Sequence, residues 1–331
     1  MNNFSYFRAT SVQDAVQRAS SDREAMFIAG GTNLVDRMKA FLDEPSQLID
    51  ISRLQMQRIE PIAGGGLRIG GLVSNTAVAD HPDIRRNYPM LSRAILSGAS
   101  QQIRNVASVG GNILQRTRCP YYYDTAFPCN KREPGSGCPA ATGINRMHAI
   151  LGASNQCVAV HPSDMAVAMA ALDAMVEVEG AKGKRQIPFT DFHRLPGDTP
   201  QQDTNLEPGE MITAVVLPPL PFAQSGVYLK LRDRASYSFA LVSVAAAIEL
   251  AGDRIKDVRL AMGGVAHKPW RPTEAEQFLI GKPADAATFQ QAAEMALQGA
   301  KPLTHNSFKV ELAKRAIKRS LAVSAKGGGV A

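Results

Sequence analysis

The stretch "VVLPPLPFAQSG" (215–226) constrains the fold more than any other part of the chain. Proline fixes φ and has no N–H, so no helix or interior strand runs through Pro218, Pro219 and Pro221. The 331 residues therefore fold as at least two units, with a separate α+β unit from about residue 222. Before the break, short strands and helices alternate. "SVQDAVQRAS" reads as a helix capped by Ser11, "AMFIAGG" as a buried strand entering a Gly turn, and "LVDRMKAFLDEP" as a helix stopped before Pro45. "QLIDIS" is a further strand. "GGGLRIGGLVSNTAVAD" reads as strands with tight turns, then a helix opening at Ser74 or Asn75. A helical stretch follows from Ile84 to Gly98. "SDMAVAMAALDA" predicts a Met- and Ala-rich helix, and "MVEVEGAKGKRQIPF" a hairpin. After the break come further strands and two helices reaching about residue 323, and "SAKGGGVA" reads as a frayed tail.

Several function classes are disfavoured early. The longest apolar run, "FALVSVAAAIELA", ends too soon to cross a bilayer and contains Glu249. The N-terminus lacks a basic start followed by an apolar stretch, so no secretory signal is expected. Net charge is +7, yet its Lys and Arg are dispersed with no aromatic-interleaved basic patch, which argues against a nucleic-acid partner. An anionic cofactor or an acidic partner surface accounts for the surplus equally well. No Ser-His-Asp set, Walker motif or catalytic carboxylate pair is found.

Two Gly pairs stand out. In "IAGGTNL", between strand and helix, Gly30 and Gly31 allow positive φ and present consecutive N–H groups, a pattern suited to a diphosphate. It is not the G-x-G-x-x-G dinucleotide pattern. "NVASVGGNIL" repeats the arrangement about 80 residues on, so the two turns can approach one ligand from two sides. In "HPSDMA", Ser163 suits an N-cap and Asp164 either complements the helix dipole or contacts a cofactor.

All four cysteines fall within 119–157, spaced C-x9-C-x8-C-x18-C. Disulfide staples have little purpose in an otherwise cysteine-free chain of this size. A structural zinc site usually shows paired C-x2–4-C knuckles, absent here. An iron–sulfur cluster tolerates irregular spacing, and Gly- and Pro-rich loops supply amides to it. Spacing alone leaves zinc and iron–sulfur open.

"FIAGGTNL", "RNVASVGGNIL", "HPSDMA", "PGEMI" and "YLKLRDRASYSFALVSVAAAI" occur in this order over nearly the whole chain. Together they resemble the FAD-binding medium subunit of the molybdenum hydroxylases, the xanthine dehydrogenase and carbon monoxide dehydrogenase group. The resemblance implies an α+β chain. Its vanillyl-alcohol-oxidase (PCMH)-type FAD-binding domain would comprise two α/β subdomains, followed by a smaller C-terminal α+β domain. The expected divisions are 1–60, 61–221 with an insertion at about 113–160, 222–325, and a tail at 326–331.

Carried over by resemblance, Met26, Phe27, Ile28, Ala29, Gly30, Gly31, Thr32, Asn33 and Leu34 would wrap the FAD diphosphate. Ser108, Gly110, Gly111 and Asn112 would line its other side, and Asp164 would meet ribityl or ribose hydroxyls. Ile212 would pack on the flavin ring. Lys230 would place a fixed positive charge at the flavin edge, with Arg234 a weaker candidate; the alternative for Lys230 is a strand lysine facing solvent.

The cysteine segment resembles the inserted loop of two family branches that hold a [4Fe-4S] cluster, the 4-hydroxybenzoyl-CoA reductases and the periplasmic aldehyde oxidoreductases. "CPYYYDT", "PCNKR", "PGSGC" and "GGVAHKPWR" favour the latter. Cys119, Cys129, Cys138 and Cys157 are then the four ligands. Tyr121, Tyr122 and Tyr123 would pack the loop or the cluster, while His161 and the His267–Trp270 turn would be structural. The resemblance further implies a heterotrimer-type complex with a small [2Fe-2S] subunit and a large molybdenum-cofactor subunit. Electrons from an aldehyde would pass through FAD to an acceptor such as dioxygen or a quinone. Such a complex would reach the periplasm by a signal on its small subunit; cytoplasmic residence is the alternative.

Overall fold

Alternating short elements before the proline break form two sheets, and the unit after it forms a third. The structure, a computed structural model, describes residues 1–328. The strands β1 (Ser5–Arg8), β2 (Met26–Ile28) and β3 (Gln47–Asp50) make a parallel sheet in the order β1-β3-β2. The helices Val12–Ser21 and Leu34–Lys39 lie between them in the chain. The first is capped as expected, Ser11 Oγ accepting from Asp14 N at 3.0 Å. The second stops at Lys39, short of Pro45, because Phe41 takes a positive φ of 54°.

Strands β4 (Ile59–Pro61), β5 (Leu67–Gly70), β6 (Met175–Gly180), β7 (Gly183–Pro188) and β8 (Met211–Leu217) form an antiparallel sheet ordered β4-β5-β8-β6-β7. The stretch expected as one helix from Ile84 to Gly98 is two, Pro82–Asn87 and Pro89–Ser97, since Pro89 has no N–H to continue the ladder. Helix Asp164–Ala171 is buried along its whole length. A helix apolar all round has to be enclosed, and its Ala and Met side chains let neighbours approach closely.

Beyond the break, β9 (Val227–Leu231), β10 (Val242–Ala251) and β11 (Arg254–Gly263) form an antiparallel sheet. Three helices follow rather than two: Thr273–Leu279, Ala286–Ala296 and Phe308–Ala325. Strand β10 explains the uninterrupted apolar run. Its alternate residues point to opposite faces. Ala245 and Ala247 join the core around helices Pro89–Ser97 and Asp164–Ala171, whereas Val242, Val244, Ala246 and Ile248 face the core under the last three helices. The third sheet is thus wedged between two helical layers. Of the expected frayed tail, residues 329–331 lie outside the described residues.

Candidate functional site

The turn after β2 is positioned by close backbone packing. Ile51 N donates to Ile28 O at 3.0 Å, tying the end of β2 beside β3. Only Gly31 of the first Gly pair has positive φ, 69°. Gly30 is required for another reason: a Cβ there would stand 2.1 Å from Val106 O. The second Gly pair is not a turn but the first turn of helix Val109–Ile113, with Ser108 Oγ accepting from Gly111 N at 3.2 Å. Val109 N and Gly110 N donate to Val73 O and Gly71 O at 3.0 and 2.8 Å, stitching this helix to the segment after β5. Ser163 caps Asp164–Ala171, accepting from Ala166 N at 3.0 Å, and donates to Asn112 Oδ1 at 2.5 Å.

These contacts bring the motifs to one cavity of about 660 Å³. It is lined by Met26, Phe27, Ile28, Ala29, Gly30, Gly31, Thr32, Asn33 and Leu34, and by Ser108, Gly110, Gly111, Asn112, Asp164, Ile212 and Lys230. The volume lies within the range of small-molecule and cofactor pockets. Asn33 Oδ1 accepts from Arg116 N at 3.1 Å, but its buried Nδ2 has no hydrogen-bond partner among the described residues. An orphaned donor beside a glycine cradle fits a ligand rich in acceptors such as FAD.

Lys230 does not face solvent. Its side chain is 4% exposed, and Nζ donates to Asp164 Oδ2 at 2.8 Å and to Ser97 O at 3.0 Å. Tyr228, which the sequence did not single out, donates its hydroxyl to Asp164 Oδ1 at 2.6 Å. Lys230 is therefore half of a buried ion pair rather than an isolated cation. Arg234 is exposed and does not line the cavity; it donates to the backbone O of Tyr237, which does.

The cysteine segment is mostly irregular, with a helix at Pro120–Tyr123 and a 3-10 turn at Pro139–Ala141. Cys119, Cys129, Cys138 and Cys157 are unpaired thiols and line one small cavity of about 10 Å³, with Tyr121 and Tyr122. That space holds about one water molecule. Among the described residues no three His, Cys, Asp or Glu side chains are placed to hold a metal ion. A single ion needs its donors to converge on a point, whereas four cluster thiolates surround a volume. Four thiols around a common space therefore fit a cluster in donor chemistry, provided the side chains turn outward to admit it. Burial pushes the Cys119 and Cys157 thiols up to about 12 and about 11, so both are protonated as they stand.

The groups that order this loop were missed in the sequence. Asn130, buried next to Cys129, accepts from Gly135 N and Gly137 N at 3.1 and 2.7 Å. It donates to Gln156 O at 3.0 Å, beside Cys157. Lys131 Nζ, buried, donates to Pro200 O, Asp203 Oδ1 and His267 Nε2 at 2.6, 2.5 and 2.7 Å. Arg116 Nε donates to Asp203 Oδ2 at 2.6 Å. Burial alone would raise the Asp203 carboxyl, but the Arg116 and Lys131 charges hold it well below the usual range. Burial, then the Lys131 charge, pushes His267 down to about 4, leaving a neutral ring that accepts from Lys131. His267 thus anchors the cysteine loop as well as its own turn. His161 Nδ1 accepts from Ser163 N at 3.4 Å, while its buried Nε2 has no hydrogen-bond partner among the described residues. Arg118 joins the two cavities: it lines the larger one, stacks on Tyr123 and Phe239, and immediately precedes Cys119.

Comparison with known proteins gives the family and the fold. The family described as "FAD binding domain in molybdopterin dehydrogenase" matches residues 2–220, and "CO dehydrogenase flavoprotein C-terminal domain" matches 227–323. The chain is 51% identical, over 97% of its length and 98% of the relative, to the aldehyde oxidoreductase FAD-binding subunit PaoB of Escherichia coli (strain K12). Quinoline 2-oxidoreductase from Pseudomonas putida 86 superimposes with a TM-score of 0.75 at 26% identity, covering 98% of both chains. Carbon monoxide dehydrogenase from Hydrogenophaga pseudoflava gives 0.78 at 23%, covering 99% of both.

Proposed function

The chain belongs to the family of FAD-binding medium subunits of molybdenum hydroxylases, and from that premise we propose that it is the FAD- and [4Fe-4S]-bearing electron-transfer subunit of a molybdenum-dependent aldehyde oxidoreductase. Its partners are a small [2Fe-2S] subunit and a large molybdenum-cofactor subunit, and the final acceptor is external, such as dioxygen or a quinone. The assembled complex resides in the periplasm, exported by a signal on the small subunit. Among the described residues no helix is long and apolar enough to cross a membrane.

The observation that carries the reading is the convergence of three separate motifs on one cavity of about 660 Å³, with four thiols around a neighbouring one. FAD exchanges electrons singly or in pairs and an iron–sulfur cluster exchanges them singly, which suits a relay between metal centres and an acceptor. The chain's residues hold and orient. Gly30 and Gly31 would let the backbone approach a diphosphate, and the free Asn33 Nδ2 would donate to it. Asp164, fixed by Tyr228 and Lys230, keeps lone pairs for sugar hydroxyls, because a carboxylate accepts about four hydrogen bonds. Ile212, buried on β8 and lining the cavity, would pack against an apolar ring and exclude water from it. Cys119, Cys129, Cys138 and Cys157 supply thiolates, held in a loop that Asn130 and Lys131 order.

The test is a visible absorption spectrum of the purified protein with iron and acid-labile sulfide analysis, before and after denaturation. Flavin bands with about four irons per chain are expected. Flavin with one zinc and no iron would overturn the assignment of the cysteines. No flavin, with cofactor supplied during expression, would overturn the whole reading.

A further inference from the structure

His148 sits in the cysteine segment, 3% exposed, with ring Nε2 3.1 Å from Cys119 Sγ. Its other ring nitrogen, Nδ1, is buried and has no hydrogen-bond partner among the described residues. A neutral imidazole carries one N–H. Placing that proton on Nδ1 would leave a buried donor unsatisfied, at a cost of about 1–3 kcal/mol. Placing it on Nε2 directs it at the sulfur, which is the acceptor once Cys119 is a thiolate. The geometry therefore selects the Nε2–H tautomer.

The backbone of His148 is gripped from the C-terminal unit. His148 O accepts from Asn306 Nδ2 at 3.1 Å and from Lys309 Nζ at 2.9 Å. Both side chains belong to residues with no exposed surface, and Lys309 Nζ also donates to Gly264 O. Asn306 Nδ2 further donates to Ala149 O at 3.2 Å, and His148 N donates to Asn145 O at 3.0 Å. Enclosing a lysine whose hydrogen-bond partners among the described residues are carbonyls alone is costly, so this grip is a built feature. It fixes the backbone from which the buried ring reaches Cys119.

We propose that His148 is a positioning residue for the cysteine centre: it donates Nε2–H to the Cys119 sulfur, and Asn306 and Lys309 of the C-terminal unit hold it there. The inference rests on the reading that the four cysteines hold an iron–sulfur cluster. A hydrogen bond to a ligand sulfur draws negative charge from it and favours the reduced form, so it raises the reduction potential.

The experiment is an EPR-monitored redox titration of the purified complex with wild-type chain, His148→Phe and His148→Gln, with iron counted in each. With iron retained, His148→Phe is expected to shift the reduction equilibrium about tenfold toward the oxidised form, about 59 mV for a one-electron couple. The Gln amide restores a donor and is expected to recover most of that shift. An unchanged potential in His148→Phe at full iron content would overturn the inference. Should the variants lose iron, wild-type protein labelled with 15N-histidine decides it. Pulsed EPR of the reduced centre then shows an imidazole 15N coupling, and its absence overturns the inference. Wild-type protein without iron would instead sink the underlying cluster reading, so the two failures are told apart.

Discussion

A methyl group on Gly30 would stand 2.1 Å from Val106 O, closer than a carbon and an oxygen can approach without one backbone moving. Overpacking of this kind costs about 1–3 kcal/mol. Gly30→Ala is expected to fold, with a lower urea midpoint and weakened FAD retention, read by flavin fluorescence on dilution. Unchanged retention would mean that the turn after β2 does not touch the cofactor. Lys230 offers a sharper contrast. Its pairing with Asp164 is buried on both sides, so Lys230→Met strands a carboxylate and should cost about 3–5 kcal/mol. Lys230→Met/Asp164→Asn should recover much of that loss, because no unpaired charge remains. A double variant as unstable as the single would show that the pairing is not what makes Lys230 necessary. The sequence supplied both names, Lys230 and Asp164, but not their contact. The residues lie 66 positions apart, and neither element's periodicity shows what faces it.

At the scale of elements, helices and strands with strong local signals were legible. Ser11, Ser74 and Ser163 cap helices as their positions before apolar runs suggest. The helix ending at Lys39 was overextended, because it closes in a local cap, Leu42 N donating to Arg37 O and Phe41 N to Met38 O, with Phe41 at the positive-φ position where a glycine would have marked the stop. The cysteine segment shows the same division. Its thiols were legible as a set, while the bonds that order the loop link Asn130 to Gln156 and Lys131 to Asp203, and only the fold brings those together. Asn130→Ala removes the bonds to Gly135, Gly137 and Gln156 together. Outer-shell partners of this kind typically matter about 10–100-fold in metal affinity. Iron per chain after chelator challenge should therefore fall while far-UV circular dichroism and flavin content stay level. Iron retained as in wild type would show that the loop holds its shape without Asn130.

On the scale of the whole molecule, the two units are joined by buried polar side chains as well as by the shared sheet. Lys131 from the cysteine segment meets His267 from the C-terminal unit, and Lys268 Nζ donates across to Thr190 O at 2.8 Å; within the first unit, His193 Nε2 donates to Ile113 O at 2.8 Å. These histidines are buried and neutral, and that makes the assembly sensitive to acid. Burial pushes both His193 and His267 down to about 4, against an ordinary value of about 6.5 in the unfolded chain. Between those values the unfolded state binds protons that the folded state refuses, so stability falls as pH falls. Above about pH 6.5 their contribution is fully present, and below about 4 both states are protonated and the slope ends. Each histidine contributes up to about 1.4 kcal/mol per pH unit within that window. Asp203 adds nothing to the slope there, since its carboxyl is held below the usual range and loses its proton in both states above the ordinary value. Urea unfolding at steps from pH 7 to pH 4.5 should show this decline, and His267→Gln should flatten it by about one histidine's share while its amide oxygen still accepts from Lys131. A slope unchanged in His267→Gln would mean that His267 is charged in the folded protein. The Lys131 ammonium would then face a second cation, and the polar link between the units would have to be built differently.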